Sequence, residues 1–487
     1  MSGEEKIEMP DPEEIDRAVE HIVEEGLGKG TAAEKKRRKL WLRALGGAAV
    51  LALVLAALIP LFKRTSAREA YPGITAMLAE RPAATAEKLS ADEFEQSEKG
   101  FRWASAQKEK AAVSLPLQEG MRPYYERLIA QMLSGQEENA VCSPVSIYLA
   151  LSMLAEVTDG NTRQQILDLL NVADTETLRK NVSAIWESNY ADAPGMKSLL
   201  ANSFWLREFF PYNRSTLKRL ADSYYADSFI GMPGSDVMDK ALQKWTDENT
   251  GGLLSEYTKD LKLDDDTVLA LVSVLYFNTS WELPFFAKNN TQGVFHGAHG
   301  DTKAEMMHKE NPMDVYEAEH FTSVAIPLKN SGFVYICLPK EGTDAAALAA
   351  DPELMDIVHE NDHWTSGYNR TVRLSLPKFT VSGKTDLRET LRALGVTDVM
   401  DDRLADFTPL TERKEDAQGL YLGNAEHAAK LSIDEEGVIG AAYTFFMIPA
   451  AAWPEAVEFT VDRPFFFLVT GQDNSILFAG VVNDIEE

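Results

Sequence analysis

The chain has 487 residues, 45% of them hydrophobic and 25% charged, and carries a formal net charge of −28. That apolar share is ordinary for a globular protein and can build a sizeable core, and the length allows two or three average domains or one large one with appendages. The acidity argues against nucleic acid as a partner, because neutralising a phosphate backbone takes clustered Lys and Arg.

Residues 1–39 read as an acidic cytoplasmic tail ending in the basic cluster Lys35-Lys36-Arg37-Arg38-Lys39. Ile15, Val19, Ile22 and Val23 leave a short amphipathic helix open there, with solvated disorder as the simpler expectation. A transmembrane helix is expected over 40–62. Its charge-free part, Ala44–Phe62, just crosses a hydrocarbon core of about 30 Å at a rise of about 1.5 Å per residue. More basic residues precede it than follow it (Lys63, Arg64, Arg68), so the amino side faces the cytoplasm. A cleaved signal peptide is the alternative; the long stretch ahead of the apolar run and the lack of a small-x-small site argue against it. Residues 63–115, polar and rich in Ala, Glu and Lys, with Pro72, Pro82 and Gly100, read as a tether, partly helical.

From Pro116 to Glu487 the pattern is that of an α+β domain, helices first and strands later. Pro144 opens a helix through Ile147, Leu151 and Leu154 that ends near Gly160, and Asn161 with Thr162 reads as the cap of the next, through Leu170. Val237, Ala241, Leu242 and Trp245 recur at helical spacing. The apolar run Val268–Phe277 reads as a strand buried on both faces. Phe333–Leu338, Val372–Leu376, Phe465–Val469 and Ile476–Val482 read as further strands. Cys142 and Cys337 sit in apolar surroundings and read as free buried thiols, a disulfide between them being the lesser alternative.

Near the carboxyl end, Ile433-Asp-Glu-Glu-Gly-Val-Ile-Gly-Ala-Ala-Tyr-Thr444 passes from a strand into a run of small residues. It continues as Phe445-Phe-Met-Ile-Pro-Ala-Ala-Ala-Trp-Pro454. Exposed strand-competent sequence invites unwanted pairing, so a soluble domain seldom leaves so apolar a segment in a loop. A loop of small residues that becomes a strand on demand is the reading: bait for a protease.

Enzymatic readings find little support. There is no Gly-x-Ser-x-Gly, no His-Glu-x-x-His and no phosphate-cradling loop. Ser105-Ala-Gln-Lys108 lacks a companion Lys-Thr-Gly and falls in the tether. His296 with His299 and His359 with His363 lack Cys or clustered acidic partners and read as surface loops, so neither a metal nor any other cofactor is expected.

The residues also carry a family resemblance. Asn139-Ala-Val-Cys-Ser-Pro-Val-Ser-Ile147 with Leu151-Ser-Met-Leu154 resembles the serpin signature around its second helix. Lys244-Trp-Thr-Asp-Glu-Asn-Thr-Gly251, Tyr276-Phe277 with Trp281, and Leu376-Pro-Lys-Phe379 with Leu391-Arg-Ala-Leu-Gly395 resemble later serpin segments. So do Ala405-Asp-Phe407, His427, Glu435-Glu-Gly437, Arg463-Pro-Phe465 and Leu477-Phe-Ala-Gly480, in family order over essentially all of 116–487. The resemblance implies a fold of three β-sheets and about nine helices, an exposed reactive-centre loop over about 436–456, and a monomeric inhibitor that is not itself an enzyme. It implies that a serine protease cleaves the loop, forms a covalent acyl complex, and is carried off as the loop inserts into the central sheet.

By that similarity the hinge is Glu435, Glu436, Gly437, Val438, Ile439, Gly440, Ala441 and Ala442, followed by loop residues Tyr443, Thr444, Phe445, Phe446, Met447, Ile448 and Pro449. Counting from Glu435 and Gly437, and back from Arg463-Pro464, puts the reactive bond at Ala451–Ala452, with Ala450–Ala451 the alternative. Alanine there implies an elastase-like or subtilisin-like target. On insertion Val438, Gly440, Ala442, Thr444 and Phe446 turn inward, and none is charged. Inhibitory relatives carry Thr or Ser at Val438, Glu at Ile439 and Ala at Gly440. Ser143, Ser146 and His427 match the polar shutter beneath the sheet, where Ser273 replaces the family's Asn. Trp281 matches the tryptophan of the breach, where the loop first enters. A non-inhibitory serpin acting as a binding or structural module on the cell surface is the rival.

Overall fold

The computed structural model describes residues 71–79, 91–359, 371–438 and 456–485. The expected tail, membrane span and reactive bond, and the loop from Ile439 to Ala452, lie outside the described residues. Among the described residues no helix is long and apolar enough to cross a membrane.

Three sheets and ten α-helices make up the described body. In the central sheet the strands run in the order β1 (Thr75–Met77), β5 (Ala226–Gly231), β4 (Met196–Arg207), β6 (Leu269–Ser280), β15 (Gly437–Val438), β14 (Glu426–Ile433) and β13 (Phe379–Asp386). A short β3 (Ala191–Ala193) pairs with β4. The second sheet runs β2 (Ala140–Cys142), β18 (Ile476–Val482), β17 (Phe465–Thr470), β11 (Phe333–Pro339), β10 (Phe321–Pro327) and β9 (Asp314–Glu317). The third runs β16 (Val457–Thr460), β12 (Thr371–Pro377), β8 (Gly300–Pro312) and β7 (Thr291–Gly297).

After α1 (Ala91–Glu95), the helix α2 (Glu98–Leu133) begins at Ser97, whose hydroxyl accepts from the Gly100 N–H at 3.0 Å. It then runs 36 residues through Pro116 and Pro123. This differs from the expected tether. Ser114 donates to buried Asp473 at 2.6 Å, and Gln107 donates to the Tyr190 carbonyl at 3.0 Å, so the stretch before Pro116 is bolted to the body. Proline removes one backbone donor from a helix. The buried face through Ala111, Met121, Tyr124 and Tyr125 holds the segment together regardless.

The helix α3 (Pro144–Val157) starts with proline at its first position, where the missing N–H costs nothing, and nearly every residue of it is buried. Next comes α4 (Gly160–Leu169), whose cap position belongs to Asp159 rather than Asn161. Asn161 donates instead to Asp398 at 2.6 Å, and Thr162 is tied to the 404–406 segment. Then follow α5 (Thr175–Asn189), α6 (Arg214–Tyr224) and α7 (Asp236–Asn249). The remaining helices are α8 (Ser255–Thr258), α9 (Asp356–His359) and α10 (Leu387–Ala393).

The helix α7 lays Met238, Leu242 and Trp245 on the central sheet against Trp205 and Phe229, while α3 packs in the main core. The strand β6 is not buried on both faces as expected: Leu269 to Ser273 are half-buried, because β6 borders the gap described below. Both cysteines are free and fully buried, and burial pushes each thiol up to about 12.

Candidate functional site: the strand slot and its hinge

Among the described residues, β6 and β14 are joined only through β15, the two-residue strand Gly437–Val438. Gly437 pairs with Ser280 and Val438 with Thr279, antiparallel, and Val438 also pairs with Ile433. The chain reaches this position through a tight turn. The Asp434 carboxylate accepts from the N–H groups of Glu436 (2.9 Å) and Gly437 (3.2 Å), and the Asp434 N–H donates to the Gly437 carbonyl at 3.1 Å. A Cβ on Gly437 would stand 2.1 Å from the Thr279 carbonyl oxygen, so only glycine lets the backbones approach this closely.

Trp281 fixes the top of the slot. Its indole N–H donates to the Asp434 carbonyl at 2.8 Å, and its backbone N–H to the Glu436 carbonyl at 3.0 Å. The Phe285 N–H donates to the Glu435 carbonyl at 3.1 Å. The Glu435 carboxylate meets Lys378 Nζ at 2.7 Å and accepts from Asn290 at 2.6 Å. Burial alone would raise this carboxyl, but the hydrogen bonds from Lys378 and Asn290 outweigh it and hold Glu435 below the usual carboxylate range. Glu436 has no such cation among the described residues, and burial together with the charges of Asp434 and Glu435 raises it.

Three groups at this corner were given no role from sequence: Lys378, Asn290 and Lys309. The Lys309 ammonium lies 4.2 Å from the Phe285 ring centre and 5.7 Å from that of Trp281, and donates to the Leu283 carbonyl. Desolvation lowers its pKa to about 7. The sequence separations involved (Lys309 from Trp281, Lys378 and Asn290 from Glu435) carry no short-range signal that could have revealed them.

Lower in the gap lies a cleft lined by Ser143, Ser146, Ser273, His427, Leu275 and Phe478, among others. The Ser143 hydroxyl does not cap α3; it donates to Ser146 Oγ at 3.0 Å, and the Ser143 N–H donates to His427 Nε2 at 3.0 Å. An accepting Nε2 requires the neutral imidazole, in keeping with burial, which drives the His427 pKa down to about 4. Ser273 Oγ lines the same cleft, buried and with no hydrogen-bond partner among the described residues. The four polar residues expected together are therefore gathered at one level of the sheet, three of them linked and Ser273 not.

No group of His, Cys, Asp and Glu suited to a metal occurs among the described residues. His299 lies in the exposed turn between β7 and β8, as expected of a surface loop, and contacts Asp484 at 2.7 Å, whereas His296 lies on β7 rather than in a loop and contacts Asp301 at 2.8 Å. His359 ends α9, and His363 lies outside the described residues.

A three-sheet body with a central sheet held apart by the first two residues of a C-terminal loop defines a class, and sequence comparison agrees with it. The profile described as "Serpin (serine protease inhibitor)" matches residues 124–485, and the chain belongs to that family, one of protease inhibitors and not of catalytic enzymes. It is 28% identical over 404 residues to bovine plasminogen activator inhibitor 1, covering 78% of this chain and 94% of that protein. It is 31% identical over 362 residues to a serine proteinase inhibitor of the guinea pig, covering 71% of this chain and 83% of that protein. Among solved structures it resembles native tengpin, a thermophilic serpin, with a TM-score of 0.67 at 26% identity over 75% of this chain and 93% of that one.

Proposed function

We propose that this chain is a membrane-tethered, extracytoplasmic serine protease inhibitor that acts as a suicide substrate. The observation that carries the reading is the seating of Gly437–Val438 between β6 and β14, which do not otherwise pair among the described residues. A strand gap with its first two rungs occupied by the loop's own hinge is a place for that loop to continue.

In the proposed reaction the protease serine Oγ attacks the Ala451 carbonyl. The Ala451–Ala452 C–N bond breaks, Ala452 leaves as a free amine carrying the proton, and Ala451 remains esterified to the protease. The freed loop then adds as a strand from Val438 onward, gaining a ladder on both sides. The protease is drawn along and deformed before water can cleave the ester. The small alanine at the cleaved position favours elastase-like or subtilisin-like enzymes. The membrane anchor is the span 40–62, amino side cytoplasmic, with the inhibitor body outside the membrane as a monomer.

Incubating the body from Lys63 onward with elastase and with subtilisin tests this. The expected result is an SDS-stable adduct and a released peptide beginning at Ala452. Cleavage with full protease turnover would favour the rival, a serpin-fold binding module. In Val438→Arg the buried cation at the first inserting position should convert inhibitor to substrate, raising the molar ratio needed for complete inhibition at least about fivefold. Unchanged trapping would show that the hinge is assigned wrongly.

A further inference from the structure

We propose that, before any protease is captured, the pole of the body that later receives it faces the membrane, and that in this uncleaved state the exposed apolar cluster Phe209, Met232 and Val237 at that pole rests on the lipid interface. The inference rests on the membrane anchor proposed above and adds an orientation to it.

The register gives the two poles. Val438 lies opposite Thr279 and the strands run antiparallel, so continuing the ladder after cleavage brings Ala451 opposite Asp266, beyond Leu269 at the far end of β6. The chain leaves the described body near that same end. Tyr71 packs its ring 5.1 Å from Phe229, and Phe229 is level with Trp205 and, through it, with Ala270. At about 3.3 Å per residue, Ala270 is about 13 Å from the level of Asp266 and about 30 Å from that of Thr279. Tyr71 is not a loose point of attachment: its hydroxyl donates to Glu248 at 2.8 Å, and β1 hydrogen-bonds along β5 from Thr75 to Met77.

Between Phe62 and Tyr71 lie eight residues, Lys63 to Ala70. Fully extended they reach about 28 Å. The Tyr71 end of the body is therefore held within about 28 Å of the bilayer, and the loop pole lies on the side of the medium, where an attacking protease arrives. The surface at the near end fits such a position. Phe209, Met232 and Val237 are 61%, 49% and 45% exposed. They lie together: Arg207 pairs with Gly231, the Glu208 N–H donates to the Gly231 carbonyl, and the Val237 side chain sits over Gly73. Beside them run Asp264, Asp265 and Asp266, whose charge is complementary to Lys63, Arg64 and Arg68 of the link. Scattered apolar residues need no explanation, but three gathered at the point where a membrane link joins the body mark an interface.

The test uses the full chain reconstituted into phosphatidylcholine vesicles. Met232→Cys and, separately, Lys288→Cys at the opposite pole carry an environment-sensitive nitrobenzoxadiazole label; Cys142 and Cys337 are fully buried and stay unlabelled. A spin-labelled lipid should quench the label at 232 at least about twofold more than the label at 288, and Phe209→Glu should abolish that difference while the protein still floats with the vesicles. A protein that floats with both labels equally quenched overturns the orientation, leaving the anchor intact. A protein that fails to float overturns the anchor, and the proposal with it.

Discussion

At the scale of single residues, the slot is held by groups whose chemistry leaves little freedom. Gly437 touches the Thr279 carbonyl so closely that Gly437→Ala should destabilise the native state by about 2 kcal/mol, read from the urea midpoint, because a methyl there forces two strands apart. An unchanged midpoint would mean that the hinge is not seated. His427 makes a pH prediction whose sign follows from its burial. Its folded pKa, about 4, lies below its ordinary 6.5, so between those values the unfolded chain binds a proton that the folded chain refuses. The contribution of His427 is complete above about pH 6.5 and is lost as pH falls towards 4, with a full range on the order of 3 kcal/mol. His427→Gln should flatten this part of the stability–pH curve, as measured by denaturation at fixed pH steps.

At the scale of elements, the amino-terminal segment decides how much of the chain is inhibitor body. The strand β1 extends the central sheet beyond β5, and Tyr71 is 4% exposed, its ring against Phe229 and beneath the Lys244 ammonium at 5.3 Å. Tyr71→Ala should cost about 3 kcal/mol and Tyr71→Phe about 1 kcal/mol, the difference separating packing from the bond to Glu248; differential scanning calorimetry checks both. Sequence reasoning missed this strand because Thr75-Ala76-Met77 is too short to show alternation. It likewise took Pro116 for a boundary, although a buried face carries α2 straight through it. Long regular patterns were legible: Ile476–Val482 became β18, and of the face Val237, Ala241, Leu242 and Trp245 the last three became the core side of α7, while Val237, in its first turn, is 45% exposed. Family spacing placed His427, Ser143, Ser146 and Trp281. The partners Lys378, Asn290 and Lys309 were illegible, because only the folded chain brings them to Glu435 and Trp281.

At the scale of the whole molecule, the proposed mechanism sets function against stability. The pairing of β6 with β14 is interrupted among the described residues, and a buried polar cluster with an unpartnered Ser273 hydroxyl lies beneath the interruption. Both features cost stability in the uncleaved state and are relieved if a strand fills the gap. Ser273→Asn restores a side chain that can both donate and accept towards His427, and should raise the melting temperature of the uncleaved form by a few degrees, as seen by calorimetry.

The most direct test is a crystal structure of the body clipped at Ala451–Ala452, with its melting temperature recorded beside that of the intact form. The account predicts residues 438–451 as a new strand between β6 and β14, continuing the pairing of Val438 with Thr279, and a higher melting temperature. A clipped segment left in solvent, with an unchanged melting temperature, would contradict it.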